Sequence, residues 1–78
     1  MSTHEIRLDA GSLASLQNVF WNRKVAGVPR PLFKNPTAGD HVIFRNAELG
    51  EVKAVVTNTS SDYHPNEIAV RAAKEGEF

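Results

Sequence analysis

Between Lys24 and Pro36 the chain sets Gly27, Pro29, Pro31 and Pro36, a density of helix breakers that forces an extended or looping path. Regular structure is therefore expected on either side of residues 24–36, and that irregular stretch is the longest surface segment available for function. Upstream, residues 4–8 alternate polar and apolar, which fits a short strand with Ile6 and Leu8 inward. Asp9 and Ser12 then offer helix N-caps. Leu13, Leu16 and Phe20 recur at i, i+3 and i+7, so the spacing predicts a helix over about 12–22, with Val19 flanking the buried stripe and Ser15, Gln17 and Asn18 in water.

Downstream, Ala38-Gly39-Asp40 reads as a tight turn feeding a strand. Residues 42–45 and 52–57 are β-branched and alternating, and the loop between them contains Gly50, which predicts a hairpin. Val42 and Phe44 share one face of the first strand; Val52, Ala54 and Val56 share one face of the second. With Ile43 and Val55 on the opposite faces, both strands read as covered on two sides, as in a small closed barrel. Residues 58–62 are a turn-rich connection. Alternation at Ile68, Val70 and Ala72 favours a closing strand within 66–74, although Pro65 and the Ala, Glu and Lys content would also suit a helix. Gly76, Glu77 and Phe78 are expected to fray, with Phe78 folding back onto the core as the alternative.

A chain of 78 residues has room for one domain, 1–78, around one core. At 41% apolar and 23% charged it belongs with globular rather than disordered sequences. The absence of cysteine excludes a disulfide framework, a thiolate metal site and a thiol nucleophile. The first residues lack the basic start and apolar run of a signal peptide, and no apolar stretch approaches the roughly 20 residues needed to span a bilayer. A cytoplasmic protein without membrane contact is expected.

Formal net charge is zero, but its distribution is not even. Residues 10–39 hold four basic and no acidic residues; residues 40–78 hold four basic against seven acidic. Arg23, Lys24, Arg30 and Lys34 are interleaved with Trp21 and Phe33. Cations beside aromatic planes suit a polyanion that also offers flat bases, so these six residues are the candidate nucleic-acid-binding set. The structural alternative is that the cations disperse over a solvated surface while Trp21 and Phe33 pack into the core.

Nothing declares a reaction. His4, His41 and His64 lack partners at the short spacing of zinc sites, so no metal is assigned. Thr57, Thr59, Ser60 and Ser61 lie in a polar run without a nucleophile elbow, and the five glycines are too scattered to cradle a phosphate. Tyr63, beside Asp62 and His64, either lines a pocket or packs the last loop. No catalytic residue and no cofactor are assigned.

The order of these features resembles a known family. An early strand with His4-Glu5-Ile6-Arg7, a short helix ending at Phe20, the basic stretch Asn22-Arg23-Lys24, and a Gly39-Asp40 turn before Val42-Ile43-Phe44 are similar to the ASCH group of PUA-like β-barrels, whose small members occur in bacteria and phages. The match covers residues 4–58. The resemblance implies an α+β fold: a PUA-like barrel of about five strands with one N-terminal helix. It also implies an Asp40 carboxylate that bonds backbone N–H groups in the turn. Some relatives are N-acetylcytidine amidohydrolases that use a lysine, a threonine shortly after it and a glutamate. Lys24 matches the lysine, but Val25, Ala26 and Gly27 follow it, so the threonine has no counterpart.

The leading expectation is a noncatalytic domain that binds RNA or single-stranded nucleic acid. A small phage or mobile-element protein that docks on a host protein through residues 29–33 and inhibits it is the second. An amidohydrolase using Lys24 as base and Glu67 as its partner is the third. Either a monomer or a homodimer is compatible with exposed strand edges.

Overall fold

In the computed structural model, which describes residues 2–59 and 66–77, the elements run β1 (Thr3–Arg7), α1 (Ala10–Arg23), β2 (Val25–Pro29), a single 3-10 turn (Arg30–Leu32), β3 (His41–Asn46), β4 (Gly50–Asn58) and β5 (Glu67–Ala72). The fold is α+β, one helix with a five-stranded mixed sheet in the order β1-β3-β4-β5-β2. Only β1 and β3 run parallel; the other neighbours are antiparallel.

The helix starts where Asp9, in extended conformation, accepts hydrogen bonds from the Ser12 backbone N–H at 3.4 Å and the Ser12 hydroxyl at 2.6 Å. It ends at Lys24, whose φ of 69° and ψ of −30° leave the helical region and stop the helix. Leu13 and Leu16 are buried beneath it, with Val19 and Phe20 packed at the margin, as the periodicity requires.

The sheet is not closed into a barrel by hydrogen bonds, which corrects the barrel expected from two-sided strands. A length argument explains it. Strands β1 and β2 are the two edges, and the chain between them is a 14-residue helix, about 21 Å long. Five strands at their usual spacing are about 19 Å wide. The helix thus crosses the inner face and covers the apolar row, in which Ile6, Val42, Phe44, Ala54, Val56, Ile68 and Val70 are buried. Val55, on the outer face, is buried between its cross-strand neighbours His41 and Arg71, while Ile43 on that face is half-buried. A bulge between Val56 and Asn58 shifts the β4–β5 register.

Residues 24–36 are more regular than their prolines imply, because 25–29 form β2 along β5. The strand at 66–74 is present as Glu67–Ala72. Gly76 and Glu77 do not fray: Gly76 turns the chain with φ 89°, and the Glu77 carboxylate accepts two hydrogen bonds from the Arg71 guanidinium at 2.7 and 2.8 Å. The readings made for Ser60, Ser61, Asp62, Tyr63, His64, Pro65 and Phe78 fall outside the described residues.

Candidate nucleic-acid interface

The end of α1 presents the largest exposed ring. Trp21 is 89% exposed, about 100° around the helix from the core-facing Phe20. Lys24 follows one turn later, exposed, in a backbone region that costs a residue with a side chain roughly 1 kcal/mol or more. Its charge lies at the C-terminal end of the helix dipole, where a cation is favoured. Arg23 is the last residue of α1, between the two.

The remaining members of the six-residue set lie elsewhere. Strand β2 separates Lys24 from Arg30 by six residues, or about 20 Å in extended chain. The Arg30 guanidinium donates to the Thr59 carbonyl at 2.8 Å. Lys34 is exposed beyond the 3-10 turn. Phe33 is 9% exposed and sits edge-on to the His4 ring, with centroids 5.4 Å apart, so its faces belong to the core and it has no surface to stack a base. Trp21, Arg23 and Lys24 therefore form one group and Arg30 and Lys34 another, at opposite ends of an edge strand. Between them the Glu67 carboxylate lies over Gly27 on the outer face, where a Cβ at residue 27 would meet it at 2.7 Å.

Lys24 and Glu67 are not brought together. Glu67 is in register with Pro29, at the far end of β2 from Lys24.

One polar cluster is built on the Asp40 carboxylate, which bonds backbone N–H groups as the Gly39-Asp40 turn implies and adds a side-chain partner that the sequence does not signal. Asp40, 1% exposed, accepts at Oδ2 from His4 Nε2 (2.9 Å), the Thr37 backbone N–H (2.9 Å) and the Thr37 hydroxyl (3.2 Å), and at Oδ1 from the Ser2 backbone N–H (3.1 Å). The bond from His4, then those from Ser2 and Thr37, hold its carboxyl well below the usual carboxylate range. The Gly39-Asp40 turn signals that this carboxylate bonds backbone; that His4, 36 residues away, is its partner follows only from the parallel pairing of β1 with β3. The cluster ties the chain start to the turn before β3. All four hydrogen bonds tie parts of the fold together. Among the described residues no group of three His, Asp or Glu converges on a common point.

Two depressions flank these features. One of about 450 Å³ lies beside Arg7, Arg45 and Glu51, but Arg45 is already held by Glu5 at 2.6 Å and approached by Glu51 at 3.7 Å, which balances the charge there. The other, about 470 Å³, runs between α1 and β2 and is lined mainly by apolar groups, including Leu16, Val19, Ala26, Val28 and Leu32. No helix among the described residues is long and apolar enough to cross a membrane. No protein-family model, curated protein or solved structure matches the chain.

Proposed function

We propose that this protein is a noncatalytic binding domain that takes single-stranded nucleic acid, RNA or DNA, at the C-terminal end of α1. Trp21 stacks a base, Arg23 and Lys24 meet the adjoining phosphates, and Lys34 extends the contact past β2. The observation that carries this reading is Trp21 itself. A core this small gains most from its largest rings, yet the one tryptophan of the chain stands 89% exposed, two and three residues before Arg23 and Lys24 in the sequence.

Relative to the sequence reading, the contact set is smaller. Phe33 leaves it as a core residue, and Arg30 is occupied by the Thr59 carbonyl. The ASCH-type PUA-like affiliation stays part of the proposal: a helix between the first two of five strands agrees with it, and the open sheet is the departure from it.

Titration of end-labelled oligothymidylate and oligoadenylate at low salt tests the reading, with the fluorescence anisotropy of the labelled oligonucleotide as the readout, since Trp21 is the only tryptophan of the chain. Trp21→Ala should weaken binding by about 5- to 150-fold, the equivalent of one stacked base, without lowering the melting temperature. Equal affinity of Trp21→Ala and the native protein would remove the stacking role.

A further inference from the structure

Strand β2 is the last in the sheet, so one of its sides carries backbone groups that no strand among the described residues satisfies. The phase of the ladder tells which. The Arg30 N–H donates to the Asn66 carbonyl at 2.7 Å, continuing the β2–β5 register in which Pro29 faces Glu67. Antiparallel pairs alternate, so Val28 and Ala26 also bond β5, while Val25, Gly27 and Pro29 turn their N–H and C=O groups outward. Pro29 fits this phase, since its missing N–H then falls on the open side.

The same edge borders the groove of about 470 Å³ whose floor is Ala26 and Val28 and whose far wall is Leu16 and Val19 of α1. Leu32, 43% exposed, stands at one end. A strand laid along β2 would place alternate side chains in that groove and hydrogen-bond to Val25 and Gly27. Apart from Leu8, every residue lining the groove comes from the stretch 10–39, which has no acidic residue. Exposed Lys24 and Lys34 stand before and after β2. Of the nearest carboxylates, Asp9 is committed to the α1 cap and Glu67 lies on the opposite, outer face.

We propose that the β2 edge and the α1–β2 groove form a second binding site, which does not use Trp21 but shares Lys24 and Lys34 with the proposed nucleic-acid contact, for an extended segment of a partner protein that has alternating apolar residues and acidic ends. Charge complementarity selects this occupant over a second copy of the chain, which would bring its own Lys24 and Lys34 to the same place, and the apolar lining selects it over nucleic acid.

The test uses the whole protein, isotope-labelled, and a blocked peptide of sequence Asp-Val-Thr-Val-Thr-Val-Asp, which spans about 20 Å when extended. At about 1 mM or below the amides of Val25 and Gly27 should shift saturably and gain exchange protection. A peptide with lysine at both ends should bind at least about tenfold more weakly. Gly27→Pro removes an outward donor, and Leu32→Asp repels an acidic end from an exposed position; each should lower peptide affinity about tenfold or more while oligonucleotide binding persists. The proposal is overturned if the two amides do not respond to the peptide, if the lysine peptide binds equally well, or if they shift with protein concentration alone, as strand pairing between copies would cause.

Discussion

At the scale of single residues, burial separates what holds the fold from what is free to bind. Phe33 and Trp21 look alike in the sequence, each a ring beside cations, and only three-dimensional packing tells them apart. Phe33→Ala should cost about 3 kcal/mol or more in urea unfolding, whereas Trp21→Ala should change stability by less than about 0.5 kcal/mol. Asp40→Asn replaces an acceptor of four hydrogen bonds by a group that offers two donors to the same partners, and should destabilise by about 2–4 kcal/mol. The same carboxylate sets an acid limit. Its folded pKa lies below the ordinary 3.8, so its contribution is complete above that value and is lost as pH falls toward the folded one. Glu77 acts in the same direction, held down to about 2 by Arg71 and the Lys74 N–H. Unfolding free energy should therefore fall below about pH 4, with a shallower fall in Asp40→Asn. An equal slope in the two proteins would contradict the role assigned to Asp40.

At the scale of elements, much was legible because hydrophobic period and caps act locally. The helix follows from Asp9 and the Leu13, Leu16, Phe20 stripe, the β3–β4 hairpin from alternation around Gly50, and the turn from Gly39, whose φ is 95°. Gly39→Ala should cost about 1–2 kcal/mol, measured by denaturant midpoint. Strand β2 was hidden for an equally physical reason. Its sequence, Val-Ala-Gly-Val-Pro, carries two residues that discourage strands in general, yet both are tolerated where one side of the strand faces no neighbour. Edge position is a property of the assembled sheet, not of five residues. The His4–Asp40 bond was hidden likewise, since its partners meet through the β1–β3 pairing.

At the scale of the whole molecule, the helix rather than a strand closes the inner face, and the chain's charge asymmetry is laid out along one flank, α1, β2 and the turn beyond. Sequence clustering told that residues 10–39 are acid-free; it did not tell that β2 splits the cations into two groups about 20 Å apart, with the Glu67 carboxylate over Gly27 between them. The proposed contact set is therefore a short Trp21-centred platform with a second contact at Lys34. If Arg23, Lys24 and Lys34 each neutralise a phosphate, the logarithm of the binding constant should fall against the logarithm of salt with a slope of about −2. The most direct measurement is tryptophan emission of the native protein, with its single Trp21, titrated with oligothymidylate across a salt series. Quenching that saturates at low salt and weakens with that slope is the result expected here. Unchanged emission at the lowest salt, from protein that is demonstrably folded, would contradict nucleic-acid binding at this platform.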